Sequence, residues 1–281
     1  MNQKKDTTVY KALQYRQENL GNKPCEETIS LELIGEEPFL INIDEKPYSV
    51  VMRTPGEEIF HAAGFCLGEG IAGSSDDFKT IGYDKELDPN IIDIWLTSER
   101  KEKIHDILER KIFVSQTSCG ICGKEMVRDL YQKITPAKDS FTVEIQSVFD
   151  CINKLSENQN YYQSTRGSHA AIIFDSQLEK LSFAEDVGRH NALDKAIGKA
   201  LMNRQLPRAK ILVLSSRISY ELIQKSARAQ IPVMISNSRP TALAVEMGKR
   251  LNMTLAFPAK GSELIIVCGE ERIIRDRSEK K

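Results

Sequence analysis

The chain has 281 residues, 41% of them hydrophobic and 28% charged, with 39 basic against 40 acidic side chains and a formal net charge of −1. A chain this long buries about three quarters of its unfolded surface, so it needs neither disulfides nor a structural metal to fold, and its charge balance gives no reason to expect general nucleic-acid or membrane binding. No run of about 18 apolar residues occurs, and the polar start Met1 to Asp6 leads into no apolar stretch, so neither a membrane span nor a secretory signal is expected.

Residues 1–25 are polar and read as a loosely attached arm. Two alternating stretches, Thr28 to Ile34 and Phe39 to Ile43, flank Gly35-Glu36-Glu37-Pro38 and predict a β-hairpin. A strand over Tyr48–Met52 runs into Arg53-Thr54-Pro55-Gly56, which opens a helix from about Glu57 to Leu67. Strands near Thr80–Tyr83 and Ile91–Leu96, a charged helix from Ser98 to Arg110 and Ile112-Phe113-Val114 complete a small mixed α+β domain over 26–135. That domain closes on a cysteine loop and a helix to about Ile134. Thr135 to Ser140 reads as a linker. From 141 to 270 the pattern changes to a helix near Ile145–Leu155 and strands His169–Phe174 and Leu181–Ala184, then a helix to Met202 and alternating strands and helices through Val267. Short apolar strands separated by single helices predict an α/β layer with a largely parallel sheet and a binding crevice at the carboxyl ends of its strands. Residues 271–281 read as a charged, frayed tail.

Six cysteines, Cys25, Cys66, Cys119, Cys122, Cys151 and Cys268, are scattered along the chain, and one pair is close. That distribution points to a reducing, cytoplasmic setting in which thiols serve chemistry or sit in the core, as the apolar neighbours of Cys66 and Cys268 suggest. The close pair, in Ser118-Cys119-Gly120-Ile121-Cys122-Gly123, can share a metal, form a disulfide, or act as attacking and resolving thiols. Glycines leave the sulfurs uncrowded, and a helix from Gly123 would put both near its N-terminus, where thiolate is favoured. The spacing alone leaves sulfur transfer, thiol-disulfide exchange and a zinc-stabilised binding module all open.

The densest polar stretch, Glu185-Asp186-Val187-Gly188-Arg189-His190-Asn191-Ala192-Leu193-Asp194-Lys195, joins a strand to a helix, where free N–H groups attract anions. Arg189 offers a bidentate fork and His190 a proton or a hydrogen bond, so a ligand site is favoured over a plain capped turn. Thr165 to His169, Ser215-Ser216-Arg217 and Ser236 to Thr241 repeat hydroxyl and arginine chemistry at neighbouring crevice positions, as an anionic, nucleotide-like ligand requires. Neither a dinucleotide fingerprint nor a P-loop occurs, and His61, His105, His169 and His190 lie singly, which argues against a catalytic zinc.

Arg53-Thr54-Pro55-Gly56 with Gly64-Phe65 and Glu69-Gly70-Ile71, then the cysteine loop, then Glu185 to Lys195, then Ser236 with Pro240-Thr241, resemble, in order over about residues 28–267, the FdhD/NarQ family of formate dehydrogenase accessory sulfurtransferases. The resemblance implies a sulfur carrier that accepts persulfide sulfur from a cysteine desulfurase. It passes that sulfur to molybdenum (or tungsten) bis-molybdopterin guanine dinucleotide before the cofactor enters formate dehydrogenase. It also implies a homodimer and a C-terminal cytidine-deaminase-like α/β domain without the deaminase zinc ligands. Cys119 matches the persulfide-bearing cysteine and Cys122 its partner. Phe257-Pro258-Ala259-Lys260-Gly261-Ser262 falls at the cofactor-binding loop, in a pocket that a guanine nucleotide such as GDP can share. Arg189, His190, His169, Ser236 and Thr241 are expected beside it. Three features depart from the family: Arg166 and Gln230 stand where glycines are usual, and Lys260 is the one cation in the 257–262 loop.

Overall fold

The computed structural model describes residues 6–16, 25–82, 88–110, 134–138, 140–260 and 263–275. The expected strand 112–114, the cysteine loop with its helix, Gly261, Ser262 and residues 276–281 lie outside them.

Strands β1 (Thr7–Arg16) and β2 (Cys25–Ile34) form a two-stranded antiparallel ribbon, in register from Thr7↔Ile34 to Arg16↔Cys25. The 1–25 arm is therefore corrected: its alternating Val9, Lys11, Leu13 and Tyr15 extend along β2 as a strand. The expected hairpin is also corrected. Both strands exist, but Gly35 and Glu36 carry the chain between sheets, and β3 (Glu37–Ile43) pairs with β4 (Lys46–Arg53) and, in parallel, with β6 (Ile91–Leu96). The true hairpin turn is Asp44-Glu45. Both residues have positive φ, 48° and 68°, as the tight turns that match strand twist require. β5 (Phe78–Gly82) completes a four-stranded sheet in the order β4-β3-β6-β5.

One face of this sheet packs on α1 (Glu58–Gly68). Phe39, Ile41, Ile92 and Ile94 meet Ala62, Phe65 and Cys66 there, and α2 (Ser98–Arg110) adds Ile104.

The larger sheet has six strands in the order β13-β12-β11-β10-β8-β9, namely β8 (His169–Phe174), β9 (Lys180–Asp186), β10 (Ile211–Arg217), β11 (Val233–Ser238), β12 (Thr254–Pro258) and β13 (Leu264–Cys268). It is mixed rather than largely parallel: β10, β11 and β12 run together, while β8, β9 and β13 are antiparallel to their neighbours. The continuous apolar runs that suggested a parallel sheet come from burial on both faces, which helices on either side impose whatever the strand direction. On one face α3 (Ile145–Asn158) sets Val148, Cys151 and Leu155 against Ile172, Phe174 and Val213. On the other, α5 (Arg189–Met202), α6 (Tyr220–Arg228) and α7 (Ala242–Arg250) set Leu193, Ile197, Leu222 and Met247 against Ile173, Leu212 and Leu214.

Two further expectations are corrected. The supposed linker is pinned: Ala137 donates its N–H to the Leu251 carbonyl (2.9 Å), and Asn252 Nδ2 reaches the Ala137 carbonyl (2.7 Å). The supposed tail is structured through 274, because β14 (Ile273–Ile274) adds in parallel to β7 (Val143–Glu144), which buries Val143 and Ile273. Among the described residues, no helix is long and apolar enough to cross a membrane.

Candidate functional site

Helices α1 and α5 cross so closely that a β-carbon on Gly64 would stand 1.8 Å from the Asp194 carbonyl oxygen, and one on Gly198 1.8 Å from that of Phe60. Around this crossing the polar stretch from 185 to 195 divides in two. Its acidic and amide members point into the joint between the two sheets' helices. Asp186 is fully buried and accepts from the Thr54 N–H (3.1 Å), the Gly188 N–H (2.8 Å), Asn191 Nδ2 (2.9 Å) and the Lys195 ammonium (2.7 Å). Lys195 also donates to the Thr54 carbonyl (2.8 Å), Thr54 Oγ1 accepts from the Val187 N–H (3.0 Å), and Asn191 Nδ2 reaches the Met52 carbonyl (2.7 Å). Lys225 holds Asp194 at 2.8 and 2.9 Å. Arg53, sealed from solvent, lies over the Phe39 ring and meets Glu58 (3.1 Å) and Asn90 (2.9 Å). In this half of the signature the residues that looked like ligand contacts fasten one half of the chain to the other.

Glu185 is likewise structural. Its carboxylate takes the Tyr161 and Tyr162 N–H groups at the start of α4 (Asn160–Thr165), both at 2.9 Å, and the Ser168 hydroxyl at 2.7 Å.

Arg189 and His190 behave differently. They open α5 at the edge where the carboxyl ends of β10, β11 and β12 meet the end of β9 and the start of β8, with His169 opposite Asp186 in the ladder. Three groups converge there. Burial and the neighbouring Arg189 and His190 push the His169 imidazole below its ordinary value of 6.5, so it favours the neutral form. Arg189 keeps its Nε buried with no hydrogen-bond acceptor among the described residues. His190 Nε2 lies 2.8 Å from Glu221 Oε2, and this bond is the main reason the Glu221 carboxyl sits below its usual range. A guanidinium N–H left unpaired among the described residues, close enough to His169 to depress it together with His190, makes with the two imidazoles a donor set for an anionic or carbonyl-bearing ligand at a strand-end crevice.

The other expected contacts are mostly structural. The Ser236 hydroxyl is buried between the Ser216 carbonyl (2.5 Å) and the Ser238 carbonyl (2.7 Å), and accepts the Ser238 N–H at 3.0 Å. Thr241 caps α7 through its Oγ1, which accepts the Ala244 N–H at 3.2 Å. Phe257 is buried opposite Ile265, while Pro258 and Ala259 are half-buried at the end of β12 and Lys260 is exposed beside them. Cys119 and Cys122, with Gly261 and Ser262, lie outside the described residues. One contributor carried no sequence signal: Glu221 sits 31 positions from His190. Ser215, one of the hydroxyls expected at the crevice, accepts the Ala170 N–H at 2.8 Å across two strands. Among the described residues, no group of three or more His, Cys, Asp or Glu could hold a metal ion.

Comparisons with known proteins bear on this arrangement. A model of the FdhD/NarQ family matches residues 34–274. The curated relatives include proteins named sulfur carrier protein FdhD from Mycolicibacterium paratuberculosis, 37% identical over 86% of this chain and 91% of the relative, and from Streptomyces coelicolor, 35% identical over 86% and 88%. Another from Sulfolobus acidocaldarius is 35% identical over 85% and 89%. The fold is shared with a crystal structure from Desulfotalea psychrophila, a chain described as a formate dehydrogenase accessory protein, at a TM-score of 0.74, 19% identity, and coverage of 95% of this chain and 99% of that one. With a family match across most of its length and such relatives, this chain belongs to the FdhD/NarQ family.

Proposed function

We propose that this protein is a sulfur carrier that loads sulfur on Cys119 and delivers it to a molybdenum or tungsten bis-molybdopterin guanine dinucleotide held at the strand-end crevice. That cofactor is then passed on to formate dehydrogenase. Family membership supports the sulfur-carrier role, and the relatives' names point the same way. The observation that carries the acceptor site is the Arg189 Nε, buried and without an acceptor among the described residues, in a guanidinium whose charge, with that of His190, bears on His169. A guanine dinucleotide brings pyrophosphate oxygens and a base carbonyl to such donors, and the exposed Lys260 adds a cation at the rim.

The chemistry balances on the two cysteines. The Cys119 thiolate attacks the outer sulfur of a cysteine desulfurase persulfide. A new S–S bond forms as the donor's breaks, and the desulfurase leaves as a thiolate. Cys119 then carries S–SH. Attack of the Cys122 thiolate on the inner sulfur forms a Cys119–Cys122 disulfide and expels the terminal sulfur as hydrosulfide with its electron pair, at the acceptor. A cellular dithiol reductant restores both thiols. Incubation with a cysteine desulfurase and cysteine should add about 32 Da, one sulfur atom, to Cys119, and mass spectrometry of the thiol-blocked peptide reads it directly. Sulfur found elsewhere with Cys119 unmodified would reject the assignment.

A further inference from the structure

Helix α6 begins at the strand-end crevice with Glu221 and ends, at Arg228, on the loop that follows α1. A cavity of about 190 Å³ opens at that second end. Among the described residues that line it are two guanidiniums, those of Arg100 on α2 and Arg228, with Thr135 beside them and Leu67 and Ile134 as its apolar part. No Asp or Glu is among those lining residues, so the charged groups that face the space are both cationic.

The two guanidiniums close on one glycine. Arg100 donates from Nε to the Ile71 carbonyl (2.7 Å) and from Nη2 to the Gly70 carbonyl (2.8 Å), with Asp77 3.6 Å from Nε. Those bonds fix the fork and occupy one edge of it, and among the described residues no acceptor meets its Nη1. Arg228 reaches the same residue from α6: a β-carbon on Gly70, whose φ is +77°, would stand 2.6 Å from Arg228 Nη1. Glycine therefore gives both cations access to one short stretch of backbone. Bringing two like charges together in a partly buried place costs energy that a counter-ion recovers. Burial, and then Arg100, push the Arg228 guanidinium below its ordinary value, and the nearby Glu69 carboxylate does not make up the difference.

We propose that this cavity is a phosphate site, in which Arg100 and Arg228 share one phosphoryl dianion and the Thr135 hydroxyl donates to it. Two planar forks suit a tetrahedral oxyanion with several acceptor oxygens, and two positive charges match its two negative ones. At about 190 Å³ the space takes a phosphate, alone or carrying two or three carbons, and falls short of the room a nucleotide needs. The ligand is therefore inorganic phosphate or a small phosphomonoester. The site lies at the opposite end of α6 from Glu221 and the acceptor crevice, and its occupancy is read without sulfur transfer, so it stands or falls apart from the sulfur-carrier reading.

The test is calorimetric titration of the full chain, at fixed ionic strength, with inorganic phosphate and with glycerol phosphate. Wild type should bind at least one of them at a single site, with a dissociation constant of about 1 mM or tighter. Tighter inorganic phosphate assigns the free ion as the ligand, and tighter glycerol phosphate assigns a small phosphomonoester. Arg228→Met should weaken binding at least about tenfold, the loss expected for a hydrogen-bonded charge. Saturating GDP should leave phosphate binding as it is, and acetate, planar and singly charged, should not compete at equal concentration. Absence of wild-type binding, equal competition by acetate, or displacement by GDP, which would put the phosphate in the strand-end crevice, overturns the proposal. So does an Arg228→Met variant that melts lower yet binds phosphate as wild type does, since Arg228 would then only hold the fold. Should Arg228→Met fold poorly, Arg228→Lys decides: it keeps the charge without the fork and should bind a few-fold more weakly, and unchanged affinity rejects the site.

Discussion

The Lys195 ammonium stands 2.7 Å from Asp186 Oδ2, and both side chains are shut off from solvent, at 2% and 0% exposure. A carboxylate in that position is tolerable because it collects one cation and three neutral N–H donors. Two of those donors come from Gly188 and Asn191, and the third is the Thr54 N–H from the other half of the chain. Lys195→Met strips the cation and should cost about 3–5 kcal/mol of stability, measured by urea unfolding. Adding Asp186→Leu should not recover it, because the three N–H donors then lose their acceptor.

The crossing of α1 and α5 leaves no room for a side chain at Gly64, whose absent β-carbon would meet backbone at Asp194. Backbone on both sides cannot yield as a flexible side chain can. Gly64→Ala should therefore lower the unfolding midpoint by more than an overpacked core position, beyond about 3 kcal/mol. By contrast Gly82→Ala, in open space on β5, should be silent or mildly stabilising.

Two imidazoles give the fold a signed pH dependence. His61 is stacked on Phe39 at 5.3 Å and fully buried. Burial first, then Lys195, Lys225 and Arg53, hold it well below its ordinary value of 6.5, which the Asn191 amide only partly offsets. His169 is shifted the same way. With folded values depressed, the unfolded chain takes up the protons first, so stability is full above pH 6.5 and falls as pH drops below it. The slope approaches about 1.4 kcal/mol per pH unit for a histidine held as far down as His61, and His169 adds to it in the same direction. His61→Phe should flatten the loss of stability between pH 6.5 and 5, and urea titrations at stepped pH would show it.

The elements were legible where local chemistry and tertiary demand agreed. Ile91–Leu96 and His169–Phe174 form strands with the ends their apolar runs dictate. Pairing was not legible, because register depends on what covers each face. Gly35-Glu36-Glu37-Pro38 looks like a turn, yet it hands the chain from one sheet to another. The polar stretch from 185 to 195 was legible as the joint of a strand and a helix, which β9 and α5 form. It was not legible as a division of labour, since Asp186, Asn191 and Lys195 have the same polar chemistry as Arg189 and His190 and only the fold shows which way each points.

The two positions at which the resemblance leads one to expect glycine share one backbone feature. Arg166 (φ 56°) and Gln230 (φ 55°) both occupy the left-handed region that glycine adopts freely. Arg166 ends α4 and lies 5.2 Å over the Tyr162 ring, and Gln230 Nε2 reaches the Thr135 carbonyl at 3.1 Å. Arg166→Gly should be neutral within about 0.5 kcal/mol, as relieved strain offsets unfolded-state entropy and the lost ring contact. Arg166→Val should cost at least about 1 kcal/mol, because a β-branched residue resists positive φ.

On the proposed function, the crevice residues should separate into those that shape it and those that face a ligand, and calorimetric titration with GDP, beside thermal unfolding, tests the separation. Ser236→Ala removes a buried hydroxyl wedged between two carbonyls, and Thr241→Ala a helix cap. Each should lose about 1 kcal/mol of stability and leave nucleotide affinity close to wild type. Arg189→Ala should do the reverse, weakening GDP about tenfold or more with little change in melting, because its buried Nε has no acceptor to lose within the described fold. Glu221→Gln should fall between. It keeps a hydrogen-bonding group near His190 Nε2 but removes the carboxylate charge, and with Glu221 half exposed the effect should be only a few-fold. If Ser236→Ala abolished nucleotide binding while Arg189→Ala spared it, the hydroxyls rather than the guanidinium would be reading the ligand.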